Sequence, residues 1–334
     1  MRPNAIRVVW LIAVGLAFLP VVPAIGAESP IVAFTSSVDG TADIQLLYRD
    51  GTISGPIEPT DLEPTTFAIS PDGLKIAFVA TATRCISTQC AEIASTLYSV
   101  NVDGSGLVPI FSAEEGMDFL VEPEWSPDGK TIMFVVMPSY DESGERPNSD
   151  VWASTQTAVG TWETAPLLAR PGNEFSPEWS PDGGHIAYEY DPNPDGSYDY
   201  RGGDERAGRI WLSDADGSGP HVKLTKTIGF QSNPAFSSDG RWIAYVSAPT
   251  MWSVKGWDIR IMRVDGSNKR TLAEKRFESW GLHFRPDGRE IVYGEGWGLD
   301  AGRLMTVQVR WPNRIEVLHD SESFDFYPEY FPAP

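Results

Sequence analysis

Glu124-Trp125-Ser126-Pro127-Asp128-Gly129 runs directly into Lys130-Thr131-Ile132-Met133-Phe134-Val135-Val136, and this coupling of a tight turn to an apolar strand recurs down the chain. The turn returns as AISPDG from Ala68, EWSPDG from Glu178, AFSSDG from Ala235 and HFRPDG from His283, at intervals of about 50 residues that suit one four-stranded blade of a β-propeller. Behind the turns stand Ile76-Ala77-Phe78, Ile132-Met133-Phe134, Ile186-Ala187-Tyr188, Ile243-Ala244-Tyr245 and Ile291-Val292-Tyr293. Their bulky residues lie two apart and share one face of a strand. A third strand follows in several units, as in Leu97-Tyr98-Ser99-Val100 and Ile259-Arg260-Ile261-Met262, with Asp103-Gly104 or Asp265-Gly266 supplying the next hairpin turn.

The ends of the chain complete the count. Pro30 to Phe34 reads as a second strand and Asp43 to Tyr48 as a third, with no first strand before them, while Pro328-Glu329-Tyr330 overlays Pro123-Glu124-Trp125 at the far end. The pattern predicts an all-β fold, a six-bladed β-propeller closed by N- and C-terminal strands sharing the last blade, which leaves no open sheet edge. The predicted blades lie near 65–120, 121–174, 175–231, 232–279, 280–325, and 326–334 plus 28–64, in a single domain over 28–334. A disordered proline-rich tail is the other reading of the last residues.

Residues 1–27 read separately. Arg2 and Arg7 precede an apolar run from Val8 to Ile25, and Ala24-Ile25-Gly26 or Ile25-Gly26-Ala27 suits signal peptidase. This is the pattern of an export signal, a retained anchor being the alternative, and it predicts a periplasmic or secreted protein with no membrane span in the mature chain. The formal net charge is −20 over 334 residues, which argues against nucleic acid and anionic lipid as partners. With 41% hydrophobic and 11% aromatic residues the chain can bury a full core, and a monomer is expected. Cys85 and Cys90 are the sole cysteines. An oxidising compartment favours a local disulfide between them over a metal thiolate pair, because no His or third Cys stands close by.

The PEWSPDG turn followed by an Ile-Ala-Phe/Tyr strand resembles the repeat of the TolB-like propellers, relatives of the WD-repeat proteins, from about residue 30 to the end. The resemblance implies an exported six-bladed propeller used for binding. It does not extend to the α/β domain that precedes the propeller in the family's namesake, since strands here begin by Pro30.

Most repeat residues read as structural. The turn aspartates cap their own backbone, and Trp125, Trp179, Phe236, Phe284 and Tyr330 pack between blades. Glu124, Glu178, His283 and Glu329 fall in innermost strands beside the central channel, where the carboxylates either hold a cation or basic group or stand solvated or paired with arginine. The second-to-third connections are long and leave the disc on the side opposite the SPDG turns. They carry Tyr140, Tyr198, Tyr200, Trp252, Trp257 and Trp297, aromatics that either bind a ligand or pack among the loops. In one of them Asp191, Asn193, Asp195 and Asp199 follow the D-x-N-x-D-G-x-x-D spacing of a Ca²⁺ loop, similar to those of integrin-type propellers. A proline-rich turn without metal is the other reading.

There is no G-x-S-x-G elbow, no H-E-x-x-H and no P-loop, and His185, His221, His283 and His319 are scattered over more than one blade. No catalytic residue is assigned. The expected function is an exported, non-enzymatic binding or scaffold propeller that recognises a protein segment or glycan on its long-loop face. The alternative is a metal-dependent polysaccharide-active propeller, lyase or glycosidase, by analogy with oligogalacturonate lyase.

Overall fold

A computed structural model describes residues 29–38, 41–57, 62–86, 89–113, 118–138, 148–158, 160–192, 208–227, 229–249, 256–276, 278–296, 302–310, 313–320 and 324–332. They form six sheets of four antiparallel strands arranged in a ring, the six-bladed propeller. The innermost strands are Glu63–Ile69, Asp118–Trp125, Asn173–Trp179, Phe230–Phe236, Glu278–Phe284 and Phe324–Tyr330. The last of these pairs with Val32–Val38, with Val32 opposite Tyr330 and Ala33 opposite Glu329. Both ends of the chain therefore build one blade and close the ring.

Second strands form the floor of the core. Ile76, Phe78, Ile132, Phe134, Ile186, Tyr188, Ile243, Tyr245, Ile291 and Tyr293 are all buried, so the bulky row read from the sequence meets the neighbouring blade as its period requires. Outer strands are less demanding. Val108, Val222 and Val317 lie there exposed, and two outer strands, Ile53–Ser54 and Val222–Lys223, are only two residues long. Short edges of this kind limit pairing with other chains.

Each SPDG turn satisfies itself. Ser70 Oγ donates to Asp72 Oδ1 at 2.6 Å, the Leu74 N–H donates to the same oxygen at 3.0 Å, and the Lys75 N–H donates to Ser70 Oγ at 2.9 Å. The pattern repeats at Ser126/Asp128, Ser180/Asp182 and Ser237/Asp239. Gly73 sits at φ 69° beneath it, a conformation that glycine adopts without strain.

Cys85 and Cys90 face each other in backbone register across an extended hairpin formed by Lys75–Ile86 and Gln89–Asn101. Trp257 corrects the sequence reading. It opens the strand Trp257–Arg263, packs on Phe230 at a ring distance of 5.8 Å and is 5% exposed, so it is core and not a loop aromatic. The strand starts directly after Gly256. Tyr140, Tyr198, Tyr200, Trp252 and Trp297 lie outside the described residues, as do residues 1–28 and Asn193, Asp195 and Asp199.

Candidate functional site

The inner strands do not run straight to their turns. Each loses register once on its way, between Val121 and Glu124, Phe175 and Glu178, Ser232 and Ala235, and Trp280 and His283 in four of the blades. At these bulges Glu122, Ser176, Asn233 and Tyr327 hold positive φ angles of 47–55°, and Gly281 holds 59°. Four non-glycine residues in the left-handed region, at equivalent places around one axis, mark a stretch where the ring overrides local preference. The bulges turn the following residues into the channel. Glu122, Glu124, Glu178, His283, Tyr327 and Glu329 thus line one axial cavity of about 110 Å³, in the half of the channel next to the SPDG turns.

The sequence-selected channel residues Glu124, Glu178, His283 and Glu329 are therefore brought together, and three of them have a defined partner. Glu178 Oε1 accepts the Phe236 N–H at 3.3 Å, His283 Nδ1 accepts the Tyr330 N–H at 3.2 Å, and Glu329 Oε2 accepts the Ile69 N–H at 3.0 Å. Each acceptor belongs to one blade and each donor to the next. These side chains staple consecutive blades at the end of the inner strand. Glu122 makes a second bridge, accepting from the Ser176 N–H at 2.6 Å and the Ser176 hydroxyl at 3.0 Å. Among the described residues no arginine pairs with the axial acids, which sets aside the arginine-paired reading of them.

The electrostatics follow from that crowding. Burial pushes the Glu178 carboxyl up to about 8, against the opposing effect of the Phe236 N–H. Glu124 is held well above the ordinary range by burial first, then by Glu178 and Glu329. Glu329 is likewise raised by burial, with the Ile69 N–H opposing and Glu178 adding to it. Burial lowers His283 to about 4. Because its Nδ1 accepts a hydrogen bond, the proton of the neutral ring sits on Nε2, which faces Glu329 Oε1 at 3.7 Å. No group of three His, Cys, Asp or Glu side chains disposed to hold a metal ion occurs among the described residues.

The opposite end of the ring differs. Phe119 stands at the second position of its inner strand, at the long-loop end, and is 45% exposed. It is the one exposed aromatic among the described residues. Sequence reading passed over it because Phe119 lies inside a strand; the signal is its place ahead of the bulge, where inward and outward positions exchange. Asp191, the first residue of the expected calcium loop, is buried at the end of its strand.

No protein-family model matches the chain. Over 108 residues it is 32% identical to an uncharacterized protein of Agrobacterium fabrum, a stretch amounting to 32% of this chain and 35% of that protein. TolB from Acinetobacter baumannii superposes with a TM-score of 0.68 at 20% identity, over 91% of this chain and 67% of that one. The fold is that of the TolB-like propellers. A putative TolB from Agrobacterium tumefaciens gives a TM-score of 0.57 at 19% identity, covering 91% of this chain and all of its own, 100%. Propeller enzymes share the architecture as well: an oligogalacturonate lyase from Vibrio parahaemolyticus reaches a TM-score of 0.52 at 13% identity, over 89% of this chain and 74% of that chain.

Proposed function

We propose that this chain is an exported binding propeller that recognises a protein segment or a glycan on the face carrying its long connections. The observation that carries the reading is Phe119, an aromatic left 45% exposed at the long-loop end of an inner strand. Such a residue contributes little to the core and much to an interface. Tyr140, Tyr198, Tyr200, Trp252 and Trp297 belong by sequence to the connections between second and third strands, and are assigned on this reading to the same face. Trp257 is not among them. Residues 1–27 act as the export signal, Cys85 and Cys90 form a cross-strand disulfide that stiffens the long hairpin, and the loop of Asp191, Asn193, Asp195 and Asp199 binds Ca²⁺.

The disulfide is supported by register: directly opposed residues in an antiparallel pair stand about 4.5–5.5 Å apart at Cα, within the span that a disulfide bridges. The lyase alternative draws on the shared architecture and on His283 in the channel. Against it, Nδ1 of that ring is spent on the Tyr330 N–H.

Capture of a partner from an envelope extract tests the binding face. Phe119→Ala should abolish or strongly weaken capture at unchanged melting temperature, whereas Leu74→Ala, 65% exposed at an SPDG turn, should leave it intact. Equal capture by both variants would remove the assignment of the face. Turnover of a glycan by the purified chain, lost in His283→Ala, would decide for the lyase reading.

A further inference from the structure

The seam between the blades of Asp118–Trp125 and Asn173–Trp179 contains a carboxyl group that the axial channel does not explain. Glu174, second in its inner strand, is 0% exposed, and neither of its carboxyl oxygens has a hydrogen-bond partner. Its backbone is firmly placed: the Glu174 N–H donates to the Ser149 carbonyl at 2.8 Å, and the Ser149 N–H donates to Asn173 Oδ1 at 2.9 Å. Ser149 is itself 1% exposed with an unpartnered hydroxyl, and Asp150 follows it. Two residues with buried, idle side-chain oxygens are therefore joined through their backbones at one junction, on the long-loop side of the ring.

Charge counting gives a deficit. Burial pushes Glu174 up to about 8, with Asp150 adding to it and Arg170 opposing, and burial alone pushes Asp150 up to about 6. Arg170 is one positive charge against two carboxyls, and its guanidinium is already engaged. It donates to Tyr188 Oη at 3.0 Å and lies 4.2 Å from the Tyr190 ring centre and 4.9 Å from that of Trp211. His221, on the far side of the Tyr188 hydroxyl at 2.7 Å, is driven toward its neutral form by burial and by Arg170. Arg209 Nη1 donates to the Gly208 and Gly229 carbonyls. A buried carboxyl that shares one already engaged arginine with a second carboxyl is costly, and a small cation offsets that deficit.

We propose that this seam is a divalent cation site, with the Glu174 and Asp150 carboxylates as charged ligands and the Ser149 hydroxyl as a neutral one. An oxygen-only set selects a hard ion, and tolerance of irregular geometry selects Ca²⁺ over Mg²⁺. Zinc, whose structural sites are dominated by cysteine sulfur and histidine nitrogen, is the poorer match. An ion there would rivet two consecutive blades where the long connections 139–147 and 193–207 leave the ring, so it would stiffen the base of the recognition face.

The test starts from Asp195→Ala, which removes the separate loop expectation, after chelator treatment of the full chain. Added Ca²⁺ should then evolve heat in calorimetry and raise the melting temperature, and Tb³⁺ in its place should show tryptophan-sensitised emission. Adding Glu174→Gln or Asp150→Asn should lower affinity about ten-fold or more. Asp150 is half-buried, so its variant keeps the test alive if Glu174→Gln misfolds. Absence of any metal signal in the Asp195→Ala protein, or a signal that survives both further substitutions, overturns the site.

Discussion

The turn aspartates and the axial glutamates are the same chemical group under opposite pressures. Asp72, Asp128, Asp182 and Asp239 are held below the usual carboxylate range, chiefly by the hydroxyl of the serine two residues earlier. They accept donors from their own turns and face solvent. Glu124, Glu178 and Glu329 are pushed upward because the bulged inner strands crowd them around an axis with one backbone donor each at most. Local chemistry repeated in sequence yields caps that lose their protons readily; the closure of the ring yields staples that hold theirs more tightly. The stability of one set needs nothing but its own hexapeptide, whereas the other exists only when neighbouring blades are in place.

The most disruptive way to break that contrast is to open the ring. Deleting residues 327–334 removes Glu329, its bond to Ile69 and residues 327–330 of the strand paired with Val32–Val38. Aggregation, or a melting temperature lower by about ten degrees or more, is expected. A truncated chain that melts like the intact one would show that the terminal strand does not close the fold.

A smaller effect separates the two sets by pH. A carboxyl whose folded pKa is raised binds its proton more tightly in the folded state, so its contribution is complete below the unfolded value and is lost as pH rises through the folded value. For Glu178 that window runs from 4.5 to about 8. The turn aspartates have lowered values, so their contribution is present above 3.8 and is lost as pH falls through the folded pKa. Melting temperature should therefore peak near the low end of the Glu178 window and decline by several degrees toward its upper end. Glu178→Gln should flatten the alkaline decline and leave the acid limb unchanged. A melting temperature constant across the window would contradict the raised values.

The mildest change targets one cap. Ser126→Ala removes the donor to Asp128 Oδ1 and the acceptor for the Thr131 N–H, and should cost about 1 kcal/mol, or about 2–4 °C in melting temperature. Because each turn satisfies itself, the loss should be additive with Ser180→Ala. Glu178→Gln and a change at Glu329 should not be additive, since the two carboxyls act on each other.

This division also explains what could be read in advance. The SPDG hexapeptide, the alternating second strands and the split closing blade are local patterns, and they were legible. Placement of Glu124, Glu178, His283 and Glu329 beside one axis was legible too, because the repeat carries each of them to the same position. Their staple bonds were not, since each joins residues such as Glu178 and Phe236 whose neighbourhood depends on blade-to-blade rotation. Nothing in the repeat singles out Glu174; its place is fixed by the contact with Ser149 in the preceding blade. Trp257 was misplaced because a glycine before a strand and a glycine within a loop read alike.

A carboxyl-detected ¹³C NMR titration of the folded protein tests the central contrast most directly. Near pH about 7, where ordinary carboxyls are ionised, at least one glutamate resonance should still report a protonated group, vanish in Glu178→Gln and titrate close to 8. The turn aspartates should remain ionised to below 3.8. Glutamates that are all ionised by pH about 6, within the ordinary range for folded proteins, would contradict the account of the axis as a set of staples that hold their protons more tightly than the turn aspartates.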